Sequence, residues 1–125
     1  MRVLLIEDDA QLRQVMSIFL RSLGAQVLAE MADGVAALEH LSEESNDPPD
    51  LILTDCQMPR MDGISLVRHL RARGDRTPVI MISGQQDPRV VQLAFEAGVD
   101  HYLAKPLSAD SLTVAIGQTF PGWAA

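Results

Sequence analysis

The feature that most constrains the fold is a regular alternation of short apolar runs with longer segments of helical periodicity. Three runs, at residues 3–6, 51–53 and 79–82, are continuous and rich in leucine or β-branched residues, as expected of strands buried on both faces. Weaker runs lie at residues 26–29 and 101–104. The pattern predicts five strands.

The segments between these runs predict helices. Asp9 is expected to be the N-cap of the first helix, and the helix is expected to terminate at Gly24. Residues at helical spacing form one apolar stripe that is expected to face the core: Leu12, Val15, Met16, Phe19 and Leu23.

Four further helices are predicted to begin at Asp33-Gly34, near Asp62-Gly63, after Asp87-Pro88 and after Ser108, and the fourth helix is expected to end at Gly98. The side chains expected to face the core are Ala37, Leu38, Leu41, Leu66, Val67, Leu70, Val91, Ala94, Phe95, Leu112, Ala115 and Ile116. Five βα units predict an α/β fold: a five-stranded parallel sheet of order 2-1-3-4-5, flanked by five helices in a doubly wound, flavodoxin-like arrangement.

Size and charge narrow the class of protein. The chain has 125 residues, 47% of them hydrophobic, which suits one domain with one core. Ten Lys and Arg against seventeen Asp and Glu give a net charge of −7, which argues against nucleic-acid binding. The lone Cys56 cannot form an intrachain disulfide, and the first apolar run stops at Glu7, too short for a membrane span. We therefore expect a cytoplasmic protein without membrane association.

Polar side chains follow the predicted central strands. Strand 1 is followed by Glu7 and Asp8, strand 3 by Asp55, strand 4 by Ser83, and strand 5 by Lys105, the only lysine in the chain. In an open parallel sheet these positions meet at the carboxyl edge, where ligands bind. The sequence therefore predicts a functional site there.

The chemistry of that site follows from its residue types. Crowded carboxylates need protons or a cation, and an oxygen-only ligand set suits Mg²⁺. A lysine and a hydroxyl beside a carboxylate-bound cation suit a phosphoryl group, and one aspartate could be the covalent acceptor. Because the cysteine is alone and the three histidines are scattered, no zinc site is expected.

Five separated motifs, in order, resemble the response-regulator receiver domain of two-component signalling, in its chemotaxis-regulator-like form. The resemblance covers residues 1–118 and leaves 119–125 as a short C-terminal tail. The motifs are Glu7-Asp8, Asp55, Met58-Pro59-Arg60-Met61-Asp62-Gly63, Ser83-Gly84 and Lys105-Pro106.

The resemblance implies a role for the acidic residues. Asp55 would accept a phosphoryl group from a sensor histidine kinase or a histidine phosphotransfer protein. Glu7, Asp8 and Asp55 would hold Mg²⁺ together with the backbone carbonyl of Gln57. Gln57 and Gln85 occupy positions that tune dephosphorylation in the family.

The resemblance also implies a switch. Ser83 and Lys105 would contact the phosphoryl group, Tyr102 would turn inward as Ser83 moves, and the Lys105–Pro106 bond would be cis. The surface of helix 4, strand 5 and helix 5 would then change and regulate a protein partner or an effector domain absent from this chain. The chain would catalyse only its own phosphorylation and dephosphorylation, as a monomer or a weak phosphorylation-linked dimer.

Two alternatives share parts of this pattern. A flavodoxin-like nucleotide-binding module has the same architecture, but the acidic residues after strand 1 would repel a flavin phosphate. An aspartate-nucleophile phosphatase typically carries its nucleophile and a second aspartate after the first strand, whereas Asp55 follows the third.

Overall fold

Five parallel strands and five helices alternate along the chain in a computed structural model that describes residues 1–121 and 123. The strands are β1 (Arg2–Ile6), β2 (Gln26–Met31), β3 (Leu51–Asp55), β4 (Val79–Ser83) and β5 (His101–Ala104). The helices are α1 (Ala10–Ser22), α2 (Gly34–Ser42), α3 (Gly63–Ala72), α4 (Pro88–Ala97) and α5 (Ala109–Thr119).

The strands pair in the predicted order, β2-β1-β3-β4-β5, and every pair is parallel. Ile6 at the end of β1 lies opposite Thr54, the penultimate residue of β3. This register brings the residue after β1, Glu7, to the same edge of the sheet as Asp55, the last residue of β3. All five residues of β3 and of β4 are buried, as their continuous apolar runs predict.

Alternate side chains of the sheet pack against helices on two opposite faces. Leu5, Leu53 and Ile80 belong to the core cluster that contains buried residues of α1 and α5. Leu4 and Ile52 belong to a second cluster, which contains buried residues of α2, α3 and α4. The doubly wound α/β fold predicted from the sequence is confirmed.

The helix starts agree with the prediction. The side chains of Asp9, Asp33, Asp62, Asp87 and Ser108 each accept a hydrogen bond from a backbone amide in the first turn of the following helix. The predicted ends of the strands agree less well with the structure. Strands β2 and β3 each extend two residues beyond the predicted range, and β4 extends one residue beyond it.

Two side chains predicted to face the core are exposed, and a third, Val91, packs against neither core cluster of the described residues, since its neighbour Val90 takes that place. The side chains of Val15 and Phe95 are 43% and 48% exposed. Each is adjacent in sequence to a fully buried residue, Met16 in α1 and Ala94 in α4. One residue turns the helix by about 100°, so the neighbour of a centrally packed side chain lies at the edge of the buried stripe. In α1 the stripe instead includes Leu20, which the prediction omitted.

Helix α5 extends to Thr119, into the segment predicted to be a tail. Residues 122, 124 and 125 of that predicted tail lie outside the described residues. None of the helices in the described part of the chain has the length and apolar character needed to cross a membrane.

Candidate functional site

The carboxyl edge of the sheet brings together a cation and two carboxylates. Lys105, directly after β5, places its Nζ 3.0 Å from Asp55 Oδ2 and 3.1 Å from Glu7 Oε1. Partial burial alone would lower the pKa of Lys105, but the carboxylates of Asp55 and Glu7 outweigh burial and raise that pKa. The lysine is therefore a protonated cation that bridges the ends of three strands.

Glu7 is the most unusual group at this edge. Its side chain is fully buried, and neither carboxylate oxygen has a hydrogen-bond partner among the described residues, although Lys105 lies within ion-pair distance. Burial, with further contributions from the neighbouring Asp55 carboxylate, raises the pKa of Glu7 to about 8. An unsatisfied buried carboxylate is costly, which marks the position as one that needs a cation or a proton.

The acidic side chains converge as the sequence predicts. Glu7, Asp8 and Asp55 each offer a carboxylate oxygen within 4.8 Å of the other two, with Asp8 exposed and the others buried. Three carboxylate oxygens, one from each residue, fit the ligand preference of Mg²⁺, and the Glu7 carboxylate has no hydrogen-bond partner among the described residues. The residues present are thus chemically suited to a divalent cation.

Ser83 and Tyr102 meet at the loop between β4 and α4. Ser83 Oγ accepts a hydrogen bond from the Gln85 amide at 2.8 Å, and the Tyr102 hydroxyl donates to the Gln85 carbonyl at 2.7 Å. Burial raises the pKa of Tyr102. The two predicted switch residues therefore contact the two peptide groups on either side of Gln85, Ser83 through the Gln85 N–H and Tyr102 through the Gln85 C=O. Gln85 was not predicted from the sequence as their shared partner.

Two other predicted positions lie near this edge. The side chain of Gln57 is exposed, and its Nε2 lies 3.5 Å from Gln85 Oε1, so the two amides face each other between the β3–α3 and β4–α4 loops. The Lys105–Pro106 peptide bond is cis, as the resemblance implies, and the Lys105 amide donates to the Ser83 carbonyl at 2.9 Å.

Three contacts around the site were not predicted. Arg13 NH1 donates to the Glu7 carbonyl at 2.7 Å, and Arg60 donates to Asp33 from two nitrogens. A Cβ on Gly63 would lie 2.3 Å from the Asp55 carbonyl oxygen, so only glycine allows α3 to begin so close to that residue. No periodicity or spacing in the sequence signals the arginine contacts, because they join segments through the tertiary fold.

Comparisons of sequence agree with the geometry. The family profile described as the response regulator receiver domain matches residues 3–117. The chain is similar to the chemotaxis protein CheY of Bacillus subtilis, with 33% identity over 118 residues that cover 94% of this chain and 96% of the relative. It is also similar to the transcriptional regulatory protein PdtaR of Mycobacterium tuberculosis, with 35% identity over 92% of this chain but only 54% of that relative.

Solved structures share the architecture. The receiver domain of the sensor histidine kinase PA1611 from Pseudomonas aeruginosa superposes with a TM-score of 0.82 at 32% identity, covering 94% of each chain. That structure has a magnesium ion coordinated in its active-site cleft. The matching fold, the convergent strand-end residues and the family profile agree, and this chain belongs to the response-regulator receiver domains of two-component signalling.

Proposed function

We propose that this chain is a phosphorylation-operated switch in which Asp55 accepts a phosphoryl group from a phosphohistidine donor. The observation that carries the proposal is the contact of Lys105 Nζ with Asp55 Oδ2 at 3.0 Å, beside a fully buried Glu7 that lacks a hydrogen-bond partner among the described residues. A cation fixed on a strand-end aspartate can stabilise negative charge that develops on a phosphoryl group attached there.

The proposed metal ligands are the carboxylates of Glu7, Asp8 and Asp55 and the backbone carbonyl of Gln57. Bound there, Mg²⁺ would neutralise both the crowded carboxylates and the oxygens of the phosphoryl group. Asp8 is exposed and so is accessible from solvent. Glu7 is buried, and its oxygens have no hydrogen-bond partner among the described residues apart from the ion-pair contact with Lys105.

In the proposed transfer, a carboxylate oxygen of Asp55 attacks the phosphorus of the donor. An O–P bond forms while the P–N bond to the donor's imidazole breaks, and the imidazole takes up a proton as it leaves. Lys105 balances the added charge, and the Ser83 hydroxyl would exchange its contact with the Gln85 amide for a phosphoryl oxygen. Hydrolysis by water would regenerate the Asp55 carboxylate and release inorganic phosphate.

The switch would act through Gln85, whose N–H contacts Ser83 and whose C=O contacts Tyr102. When Ser83 leaves the Gln85 amide, the β4–α4 loop would lose that contact, and Tyr102 would turn inward into the space that Ser83 leaves. Because α4 follows this loop, β5 carries Tyr102 and α5 packs beside β5, the surface of α4, β5 and α5 would change its populated conformation and alter affinity for a partner.

The proposal extends to domain limits and partners. The receiver unit would span residues 1–118, with 119–125 as a tail, and would exist as a monomer or a weak phosphorylation-linked dimer. A sensor histidine kinase or a histidine phosphotransfer protein would supply the phosphoryl group, and a protein partner or an effector domain would respond. The only chemistry assigned to the chain itself is its own phosphorylation and dephosphorylation.

The test is to incubate the protein with Mg²⁺ and acetyl phosphate and to measure its intact mass. We expect one phosphoryl adduct that hydroxylamine removes and that is absent from D55N. The exposed Asp47 supplies a matched control, because D47N should be labelled like the wild type. A hydroxylamine-resistant adduct, or labelling that survives D55N, would refute the proposed acceptor.

A further inference from the structure

A bidentate ion pair between Arg60 and Asp33 joins the β3–α3 loop to the β2–α2 loop. Arg60 Nε lies 3.0 Å from Asp33 Oδ2, and its NH2 lies 3.0 Å from Oδ1 and 2.9 Å from Oδ2. The Asp33 side chain is only 12% exposed and also accepts from the Ala36 amide at 2.8 Å. That amide hydrogen bond lowers the pKa of Asp33, burial opposes it, and Arg60 lowers the pKa further. The carboxylate is therefore an ionised, well-anchored partner for Arg60.

The backbone around the ion pair is also constrained. Arg60 has a φ of +66°, a left-handed conformation that non-glycine residues rarely adopt. The next residue, Met61, accepts a hydrogen bond from the Gly34 amide at 3.2 Å, and a Cβ on Gly34 would lie 2.6 Å from that carbonyl oxygen. An unfavourable backbone conformation persists where surrounding contacts fix it, and here the contacts come from the start of α2.

The loop that this ion pair fixes connects β3 to α3. At its far end, the Gly63 amide donates to the Cys56 carbonyl at 2.8 Å, and Gly63 packs against the Asp55 carbonyl. Gln57, whose carbonyl is the fourth proposed metal ligand, lies between these two anchors. We infer that Arg60, through Asp33, is a positioning residue that holds the β3–α3 loop in the conformation competent to bind a divalent cation, an inference that rests on the proposed function.

An electrostatic role and a loop-positioning role for Arg60 predict opposite changes in Mg²⁺ affinity when the residue is replaced. A positive side chain on the loop that carries a metal ligand repels a divalent cation, so its removal would tighten binding if charge alone acted. If Arg60 positions the loop, its removal weakens binding despite the more favourable charge. The sign of the change in the Mg²⁺ dissociation constant therefore separates the two effects.

The variants are R60M, D33N and the double variant. Methionine keeps the aliphatic stem without the charge, and asparagine keeps an acceptor for the first turn of α2. The matched control is R2M, which removes an arginine that pairs with Asp50 at 3.5 Å near the starts of β1 and β3. Calorimetric titration with Mg²⁺ measures affinity, and hydrogen exchange of residues 56–62 in metal-free protein measures loop order.

We expect the Mg²⁺ dissociation constant to rise about tenfold in R60M and D33N, the low end of losses from residues that orient metal ligands. The double variant should lose little more than either single variant, since both remove one contact. Exchange of residues 56–62 should accelerate in R60M, and R2M should match the wild type in both measurements.

Tighter or unchanged Mg²⁺ binding by R60M would overturn the inference, as would wild-type exchange rates for residues 56–62 in that variant. One outcome would refute the inference but not the proposed function. In it, the wild type binds Mg²⁺ and is phosphorylated, and R60M binds Mg²⁺ equally well. Wild-type protein that binds no Mg²⁺ would refute the metal site of the proposed function, and the inference with it.

Discussion

Lys105 Nζ and Asp55 Oδ2 lie 3.0 Å apart although the two residues are separated by 50 positions in the chain. The contact links the end of β5 to the end of β3 across the intervening strand β4. The same ammonium group lies 3.1 Å from Glu7 at the end of β1. One ammonium group at the end of β5 thus contacts carboxyl groups at the ends of two other strands, and several consequences of this arrangement can be measured.

Replacement of Lys105 by methionine is expected to destabilise the metal-free protein. The aliphatic stem remains, but the fully buried Glu7 and the nearly buried Asp55 lose their shared cation. Removal of one partner from a buried ion pair costs about 3 kcal/mol. Urea denaturation at pH 8 measures the loss, and saturating Mg²⁺ should reduce it because a divalent cation supplies the missing charge.

The control for this variant is R76M, which alters an exposed arginine and should stay within about 0.5 kcal/mol of the wild type. Equal free energies of unfolding for K105M and R76M would contradict the assigned role of the lysine.

The stability of the metal-free protein should depend on the ionisation of Glu7. The pKa of this carboxyl is about 8 in the folded protein, against 4.5 for an ordinary glutamate, so the folded state binds a proton that the unfolded chain releases. The free energy of unfolding should therefore fall as the pH rises from about 4.5 to about 8, by at most about 1.4 kcal/mol per unit, and level off above.

The variant E7Q is neutral at every pH and should lack this fall, whereas E39Q, on the exposed side of α2, should retain it. Urea denaturation in metal-free buffers at pH 5.5, 7 and 8.5 makes the comparison. Parallel curves for the wild type and E7Q would show that Glu7 does not hold the proton.

Substitution of Gly63 by alanine should disturb both stability and the proposed phosphorylation. The added Cβ would lie 2.3 Å from the Asp55 carbonyl oxygen and 3.0 Å from Met81 Cε, so backbone next to the proposed acceptor must move. We expect a loss of about 2 kcal/mol and slower labelling by acetyl phosphate.

Gly117 in α5 provides the control, because a Cβ there meets nothing within 4 Å. G117A should be neutral or slightly stabilising, since alanine favours the helix interior. If acetyl phosphate labels G63A as fast as the wild type, the close approach of Gly63 to the Asp55 carbonyl does not constrain the proposed acceptor.

Arg71 should be one of the residues most important for stability outside the site. Its guanidinium group donates to the carbonyls of Asp75, Thr77 and Gly98 at 2.8–2.9 Å, with only 13% of the side chain exposed. The variant R71M would leave three carbonyls without this donor, at about 1 kcal/mol each, so we expect a loss of about 3 kcal/mol.

Urea denaturation measures this loss, with R68M as the control because Arg68 is exposed on the same helix. If R71M lowers the free energy of unfolding no more than R68M does, the hydrogen bonds of Arg71 to the three carbonyls do not stabilise the fold as proposed.

The fold and much of the site could be predicted from local sequence. Continuous apolar runs define strands that are buried on both faces, and Asp or Ser residues before the helices mark their starts. Because parallel strands end at one edge, the positions of Glu7, Asp55 and Lys105 in the sequence were enough to predict that they meet. The structure confirms that convergence.

Only the tertiary structure decided the remaining features. The buried face of α1 and α4 depends on the angle at which each helix packs on the sheet, which is why Val15 and Phe95 were wrongly assigned to the core. The pairing of Arg60 with Asp33 depends on two loops that meet after folding. Periodicity records the local conformation of a segment, whereas such contacts join segments distant in sequence, and their geometry exists only once the sheet and helices are packed.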